Sequence, residues 1–358
     1  MKFEKLFIIG ICLVLALALF TGCGNGEEDV EENGEAVEAN GEDEEKETEE
    51  IGGEDAEFYM EAGHVLDTGH PYHKGLVRFG ELMNEKSDGQ IALEIFPNQQ
   101  LGGERDMIEG LQMGALDVTL VSTAPLEGFS EDFLVFDLPY IFQDRDTTYE
   151  VLDGSIGQGV LDELEGSGLV GLTFMENGFY HISSNEPIVE PEDIEGVTIR
   201  SLENQLQLDA YEAVGANPTP MAFPEVFTAL QQGTLDATAQ TPAVIYSQNF
   251  YEVQDYLADT WHFYAPAPLL ISEQTFEELP EDLQEVAREA AEEATHYQRQ
   301  LIIDEEEREL EILEEEHGMT INEVDRELWQ EKMIEPVYEE YSPDPIDPEL
   351  IEEIQAAH

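Results

Sequence analysis

Arg200 follows the apolar run Val197 to Ile199 in a chain with only 14 Lys and Arg residues against 83 Asp and Glu residues. We expect this run to be a strand, and the carboxyl ends of strands are where open α/β sheets bind ligands. The planar guanidinium fork can hold a carboxylate through two parallel hydrogen bonds, which fixes orientation as well as charge. The sequence therefore predicts a carboxylate-binding site at Arg200. The alternative is a structural ion pair with one of the many acids.

The histidines His64, His70 and His73 lie close together in the sequence and raise the question of a metal site. His70 and His73 stand three residues apart at a predicted helix start, but no further ligand follows at the spacing of a zinc site. We therefore expect no metal ion and no cofactor. Each of these histidines is equally suited to a structural hydrogen bond.

Common catalytic motifs are missing from the sequence. It contains no Gly-x-Ser-x-Gly, no phosphate-binding loop and no Gly-x-Gly-x-x-Gly that opens a helix. Its two cysteines are Cys12 and Cys23, and Cys12 lies in an apolar leader, so the mature chain has no disulfide and no catalytic thiol. We expect a protein that is not an enzyme. Paired carboxylates carry no information in so acidic a chain.

The net charge of −69 limits the possible partners. A nucleic acid is not expected, because phosphates need clustered Lys and Arg, and an anionic membrane surface is disfavoured for the same reason. Hydrophobic residues still make up 41% of the chain, enough for a sizeable core. At about 1 M salt the Debye length is only about 3 Å, so self-repulsion is screened. We expect a salt-loving host.

Residues 1–23 have the pattern of a lipoprotein signal peptide. Lys2 and Lys5 precede an apolar run, Leu6 to Phe20, which is too short for a confident membrane-spanning helix. The following Thr21-Gly22-Cys23 resembles the lipobox of bacterial lipoproteins, although Phe20 stands where that pattern prefers Leu. We expect Cys23 to be lipidated and to anchor an extracytoplasmic protein to the membrane. The alternative is an ordinary secretion signal.

Residues 24–57 contain 17 acids and one lysine. Such a segment buries too little apolar surface to fold, so we predict a disordered acidic tether, with calcium binding as the weaker alternative. Without residues 1–57 the chain still carries 65 acids and 11 bases. The acidity therefore belongs to the folded part as well as to the tether.

The rest of the chain alternates between strands and helices, which indicates an α/β protein with parallel crossovers. The pattern starts again after about residue 166, so two α/β units in series are expected. The long helix predicted over 280–316 would reach about 50 Å at 1.5 Å per residue and would cross both units, with a coiled coil as the alternative. The predicted strands are 58–65, 91–96, 118–122, 169–174, 196–200 and 237–241, and the other predicted helices are 71–86, 103–112, 204–214 and 223–233.

Five blocks of sequence resemble the DctP-type solute-binding proteins of tripartite ATP-independent periplasmic (TRAP) transporters. They are residues 102–126, 136–142, 191–200, 215–236 and 250–257, in the family's order, and the resemblance covers roughly residues 60 to 300.

The resemblance implies a two-lobed α/β fold like that of periplasmic binding proteins, with a hinge and a long helix that spans both lobes. It places residues 58–177 with 266–305 in lobe 1 and residues 178–265 with 306–358 in lobe 2. It also implies that a small organic acid binds in the cleft and is delivered to membrane permease subunits. The chain is expected to act as a monomer. A partner that senses the ligand, in place of a permease, is the alternative.

The resemblance also implies roles for individual residues. Arg200 would hold the carboxylate of the solute, and Phe223 would pack against the ligand unless it is plain core. Gln240 stands where relatives often have a ligand-binding Asn. Arg105 belongs to a motif at the cleft edge of the first lobe, where an ion pair with an acid is equally plausible. His70, His73 and His262 match positions that border the cleft or the hinge.

One position departs from the family pattern. Many relatives carry a second arginine in an Asn-Gly-Phe-Arg sequence, and this chain reads Asn177-Gly-Phe-Tyr180. The missing charge argues against a dicarboxylate or sialic-acid pocket. It favours a monoanion, or a zwitterion whose cationic part meets aromatic faces such as those of Tyr180 and Trp261.

Overall fold

The computed structural model describes residues 48–53 and 55–357 of the chain. The predicted signal peptide, Cys23 and most of the predicted tether therefore lie outside the described residues. None of the helices among residues 48–357 combines the length and the apolar character that a membrane crossing requires.

Two six-stranded sheets form the framework, with strand orders β1-β3-β2-β4-β11-β5 and β12-β10-β6-β9-β7-β8. The strands are β1 Glu49–Ile51, β2 Phe58–Gly63, β3 Ile91–Phe96, β4 Val118–Leu120, β5 Leu169–Phe179, β6 His181–Ser184, β7 Thr198–Ser201, β8 Asn217–Pro220, β9 Ala237–Gln240, β10 Tyr256–Ala258, β11 Tyr264–Ser272 and β12 Thr320–Asn322. We call the part of the chain around the first sheet lobe A and the part around the second sheet lobe B.

Helices connect and cover the strands. They are α1 Pro71–Lys86, α2 Glu104–Gln112, α3 Arg145–Asp153, α4 Ser155–Asp162, α5 Gln205–Ala213, α6 Phe223–Gln231, α7 Pro242–Ser247, α8 Glu273–Glu278, α9 Glu281–Glu315, α10 Arg326–Tyr341 and α11 Pro348–Ala356.

Each sheet contains the parallel crossovers that the sequence predicts. In lobe A, β2 pairs in parallel with β3 and β4, and α1 and α2 make the connections. In lobe B, β7 pairs in parallel with β8 and β9 through α5 and α6. Parallel strands aligned in this way bring their carboxyl ends to one edge of the sheet, where ligand sites form.

Helix α1 illustrates why the sequence folds locally as predicted. Pro71 occupies the first turn, where its missing N–H is not needed, and the His70 side chain caps the helix start. Leu76 and Phe79 lie on the apolar face and are fully buried. Ser87 ends the helix, one residue before the turn at Asp88 and Gly89, which both have positive φ.

The chain passes between the lobes at the hinge. Strand β5 runs for 11 residues in the first sheet and is followed after Tyr180 by β6 of the second sheet. Strand β10 of lobe B is likewise followed by β11, which pairs antiparallel with β5 and β4 of lobe A. The sequence pattern does not predict β11, because its two prolines, Pro266 and Pro268, interrupt the strand pattern.

Helix α9 spans both lobes, as predicted. Its 35 residues pack against α1 and β5 of lobe A and against α7 of lobe B. The two-lobed α/β fold with a hinge and a bracing helix is therefore confirmed, and the coiled-coil alternative is wrong, since α9 packs against elements of both lobes.

Strand β1 corrects the boundary of the predicted tether. Glu49–Ile51 lies inside the range 24–57 but pairs antiparallel with β3 at the edge of the first sheet. Backbone pairing needs no apolar side chain, so an acidic segment can still form an edge strand. Ile51 packs against the core, and Glu49 Oε2 lies 2.9 Å from His73 Nε2.

Candidate functional site

Arg200 is the second-to-last residue of β7 and is buried, with 4% of its surface exposed. Its Nε donates a hydrogen bond to the carbonyl oxygen of Met221 at 3.0 Å. Among the residues that the structure describes, no carboxylate oxygen lies within 4.0 Å of its guanidinium. Burial lowers the pKa of Arg200, although the nearby acids Glu104 and Glu203 and two tyrosines oppose the shift.

Two adjoining cavities meet at Arg200. The inner cavity has a volume of about 30 Å³, and Tyr180, Gln240 and Phe223 line it together with Arg200. The outer cavity has a volume of about 190 Å³, and Arg105 lines it with Arg200 and Phe223. The structure therefore brings together five of the predicted site residues, four around the inner cavity and Arg105 beside them.

Strand ends supply the polar wall of the inner cavity. Gln240 is the last residue of β9, and Tyr180 directly follows β5. Ser122 follows β4 of lobe A and lines the same cavity. The cavity therefore lies at the carboxyl ends of strands from both lobes, which is the location that the α/β topology predicts.

Glu104 belongs to this site although the sequence pattern does not predict it. It begins α2 and lines both cavities beside Arg200. Its carboxylate accepts hydrogen bonds from the Ser122 backbone N–H and the Ser122 hydroxyl, both at 2.7 Å. Burial raises the pKa of Glu104, although the Ser122 hydrogen bonds and the charge of Arg200 oppose the shift. Among 83 acids, nothing in the sequence marks this one.

Neutral hydrogen-bonding groups complete the inner cavity. Burial raises the pKa of Tyr72 and of Tyr180, so both phenols stay protonated at neutral pH. Asn177, also at the wall, accepts a hydrogen bond from the Thr241 hydroxyl at 3.2 Å. The inner cavity thus combines one arginine, one glutamate and several neutral polar groups.

The three predicted pocket histidines lie elsewhere, and none of them lines either cavity. His70 caps α1, and its Nδ1 accepts a hydrogen bond from the Tyr72 N–H at 3.1 Å. His262 is held between the Tyr211 hydroxyl at 3.0 Å and the Thr260 hydroxyl at 2.7 Å. Burial lowers the pKa of His70 and of His262 to about 3, so both rings are neutral.

His73 stands between His64 and Glu49, at 3.1 Å and 2.9 Å. These contacts hold α1 and β1 in place. Polar core positions and cavity positions look alike in a sequence, which is why the resemblance alone did not separate them.

The described residues form no metal site at the predicted histidines, and the ring of Trp261 is covered by neighbouring side chains. Over the residues that the structure describes, no three His, Cys, Asp or Glu side chains converge in a metal-binding arrangement. Trp261 stacks on Phe179 with ring centroids 4.4 Å apart, and the Arg326 guanidinium lies 4.3 Å from its ring. Phe179 and Arg326 therefore cover the ring of Trp261, which does not line either cavity.

Comparison with models of protein families shows which family the chain belongs to. The model for the family described as bacterial extracellular solute-binding protein, family 7, DctP, matches residues 62–344. The chain belongs to this family. The resemblance to DctP-type solute-binding proteins of TRAP transporters is thereby confirmed, and an extracytoplasmic location follows from family membership.

Individual relatives agree with this assignment. The C4-dicarboxylate-binding periplasmic protein DctP of Rhodobacter capsulatus is 33% identical over 300 residues, which cover 82% of this chain and 89% of that protein. The 2,3-diketo-L-gulonate-binding periplasmic protein YiaO of Escherichia coli is 31% identical over 262 residues, which cover 73% of this chain and 80% of the relative.

A solved structure shows a related protein with its ligand bound. The TRAP periplasmic solute-binding protein of Polaromonas sp. JS666, bound to D-erythronate, has a TM-score of 0.81 and 35% sequence identity, with 84% of this chain and 98% of that chain covered. The DctP-type family consists of transport proteins that bind a solute, and the two-lobed fold of this chain is theirs.

Proposed function

We propose that this protein captures a small hydroxylated monocarboxylate between lobes A and B and delivers it to the membrane subunits of a TRAP permease. The observation that carries the proposal is Arg200, a buried guanidinium that meets no carboxylate of its own chain in the part that the structure describes. It lies at the edge of a cavity, at the carboxyl end of a strand. An anionic ligand would supply the missing partner.

Arg200 would bind the ligand carboxylate through its two terminal nitrogens. The Nε–H is already used by Met221, and this hydrogen bond holds the guanidinium plane in place. A bidentate pair with a carboxylate is among the stronger hydrogen-bonded contacts, because both partners are charged and their geometries match. Inside the protein the attraction is also screened less than in water.

Glu104 would select the rest of the ligand. Its carboxylate faces the cavities beside Arg200 and has no cationic partner within 4.0 Å among the described residues. It can accept a hydrogen bond from a ligand hydroxyl, whereas it would repel a second carboxylate. Tyr180, which stands where many relatives have a second arginine, leaves no further positive charge at the inner cavity.

Relatives with known ligands support the same class of solute. The Polaromonas protein holds D-erythronate, and a sugar-acid-binding DctP-type protein of Advenella mimigardefordensis holds galactonate. Both ligands carry one carboxylate and several hydroxyls. The relative from Sulfurospirillum deleyianum holds succinate, a dicarboxylate without hydroxyls. Glu104 and Tyr180 favour the first group of ligands for this chain.

Entry of the ligand requires the cleft to open. A cavity of about 30 Å³ accommodates no more than a few water molecules, so the inner cavity as it stands is too small for an organic acid. Hydrogen bonds already join the lobes, for example from Gln248 Nε2 to Asp67 Oδ2 at 2.7 Å. The binding cycle therefore includes separation of the lobes, entry of the solute and closure around it.

A thermal-shift and calorimetric screen at about 1 M salt tests the proposed function. D-erythronate, galactonate and pantoate should raise the melting temperature, since a ligand at 100 times its Kd stabilises by about 2.7 kcal/mol. Succinate and glycine betaine should have little effect. Tightest binding of succinate would overturn the hydroxy-acid assignment, and tightest binding of glycine betaine would replace it with a zwitterion. Loss of uptake of the bound acid on deletion would support delivery to a permease over a sensor.

Lipidation of Cys23 forms part of the same proposal, because an anchored protein stays near the permease. A Cys23→Ser variant should be released from the cell surface, whereas the parent chain should carry a lipid detectable by mass spectrometry. An unmodified Cys23 in the mature chain, or its removal with the leader, would contradict the anchor.

A further inference from the structure

Asp137 is a buried acid that joins the two lobes beside the binding site. It ends the short 3-10 helix Glu131–Asp137, which packs against β11 of lobe A, and it is 4% exposed. Its Oδ1 accepts hydrogen bonds from Gln207 Nε2 at 2.9 Å and from the Thr123 hydroxyl at 3.4 Å. Its Oδ2 accepts one from Asn204 Nδ2 at 3.1 Å. Asn204 and Gln207 belong to lobe B, whereas Thr123 belongs to lobe A.

The lobe B partners of Asp137 form the start of helix α5. Asn204 is the N-cap residue of α5, and its Oδ1 accepts a hydrogen bond from the Gln207 N–H at 3.0 Å. The two residues before it, Leu202 and Glu203, line the outer cavity with Arg200. Asp137 therefore holds the cavity wall of lobe B against lobe A when the lobes are together.

All three donors to Asp137 are neutral groups, and within residues 48–357 no cation pairs with its carboxylate. The titratable groups that act on it from neighbouring elements are Glu127, whose charge is of the same sign, and Tyr180, which is a neutral phenol. Burial raises the pKa of Asp137 to about 7, although the hydrogen bonds from Gln207 and Thr123 oppose the shift.

We infer that Asp137 is a positioning residue of the binding site, whose carboxyl group joins the lobes in the closed protein and takes up a proton when they close. The inference rests on the proposed function, since closure is what retains the ligand. Separation of the lobes withdraws Asn204 and Gln207 and returns Asp137 to water. Closure of the cleft is thus linked to the pH outside the cell.

The sign of the linkage follows from the two environments. In the open protein the hydrated Asp137 has an ordinary pKa near 3.9, and in the closed protein the pKa is about 7. Between these values the open form is ionised and the closed form is protonated, so closure takes up a proton. Closure and ligand affinity are therefore strongest at the acidic end and weaken up to tenfold per pH unit until about pH 7, above which they level off.

Calorimetric titration with D-erythronate at pH 5, 6, 7 and 8 tests this inference at constant salt. The parent protein should show a Kd that rises at least tenfold from pH 5 to pH 8, while the ligand stays ionised throughout. Titrations at pH 6 in two buffers of different ionisation enthalpy should show proton uptake on binding. Asp137→Asn should bind with nearly the same Kd at every pH and with little proton uptake.

Matched variants distinguish the contribution of Asp137 to the pH dependence of Kd from the contributions of other acids. Glu131→Gln changes an exposed residue of the same 3-10 helix and should keep the full pH profile. Glu104→Gln removes an acid that lines both cavities, and the part of the pH dependence of Kd that comes from Asp137 should remain. Gln207→Leu removes a lobe B donor that favours the ionised form, so the midpoint should move to higher pH. That shift still tests the inference if Asp137→Asn does not fold.

Small-angle scattering of the ligand-free protein provides an independent test of the pH dependence of closure. Its radius of gyration should increase from pH 5 to pH 8 more in the parent chain than in Asp137→Asn. A Kd that does not vary with pH in the parent, or a profile that Asp137→Asn and Gln207→Leu leave unchanged, would overturn the inference and leave the proposed function intact. If no acid of the panel binds at any pH, the proposed function fails, and equal scattering profiles would then overturn the inference as well.

Discussion

Arg145 and Arg200 are both cations held inside the protein, and their surroundings differ in a way that separates scaffold from site. Arg145 donates through Nε to Glu176 at 2.7 Å and through both terminal nitrogens to Glu306 at 2.8 and 2.9 Å. Burial alone would lower the pKa of Arg145, but these acids outweigh it and raise the pKa. Arg200 is more deeply buried, yet among the described residues its side chain donates to a carbonyl oxygen and to no carboxylate.

The contrast cannot come from a shortage of acids, because the chain carries 83. Where a buried arginine braces the fold, as Arg145 does between α3, β5 and α9, the chain itself supplies the carboxylates. At Arg200, where we propose that the arginine serves a ligand, no described residue supplies a carboxylate to the guanidinium. An unpaired buried cation in a strongly acidic protein is therefore a more specific sign of an anion site than the same feature would be in an average one.

Replacement of Arg200 should give the largest effect on binding. Arg200→Gln should weaken the binding of D-erythronate at least a hundredfold, because removal of one partner of a desolvated ion pair costs about 3–5 kcal/mol. Its free energy of unfolding should be unchanged or slightly higher, since no ion pair is lost. Calorimetry and denaturant unfolding give the two values, and an unaltered Kd would remove Arg200 from the site.

Replacement of Arg145 by Gln should instead lower the stability of the fold. Arg145→Gln leaves Glu176 buried without its cation, so the free energy of unfolding should fall by about 3–5 kcal/mol. Arg78→Gln is the matched control, because its exposed ion pair with Glu81 is worth about 0–1 kcal/mol. Equal stabilities of the Arg145 and Arg78 variants in urea would show that the Arg145 network is not a brace.

His70 extends the comparison to a neutral scaffold group. Its pKa is lowered to about 3 by burial, so below pH 6.5 the unfolded chain binds a proton that the folded chain does not. Stability should therefore fall with pH below 6.5. His70→Asn keeps an N-cap side chain and should avoid this loss, which amounts to about 2 kcal/mol at pH 5.

Urea unfolding at pH 7 and pH 5 measures the effect of His70→Asn, and groups common to both proteins cancel in the difference. The Kd for D-erythronate at pH 7 should stay the same. A pH dependence equal to that of the parent chain would mean that His70 is charged in the folded protein. A large change in Kd would show that His70 contributes to the binding cavity.

Glu104 provides the smallest and most selective change. Glu104→Gln should weaken D-erythronate binding about tenfold, because a charged acceptor makes a stronger hydrogen bond than an amide by about 1.4 kcal/mol. Succinate should bind more tightly than it does to the parent, since the repulsion is gone. Calorimetry with both acids checks this, and equal losses for both would show that Glu104 only supports the shape of the cavity.

The sequence was sufficient to predict the framework and to locate Arg200 at a strand end. Apolar periodicity located β2, β3, β7 and β9 within a few residues, and Arg200 lies at the cavity edge where the strand pattern placed it. Glu104 and Asp137 were missed because their type is too common here to be informative, and only their burial and partners distinguish them. The histidines were assigned to the cleft for the converse reason, since a buried structural ring and a cavity wall share the same sequence signal.

A crystal structure with D-erythronate bound, or with whichever acid of the panel binds most tightly, tests the central claim most directly. The account predicts the ligand carboxylate at about 2.7–2.9 Å from both terminal nitrogens of Arg200 and a ligand hydroxyl within hydrogen-bond distance of Glu104. A ligand bound away from Arg200, or an Arg200 paired with an acid of its own chain, would contradict it.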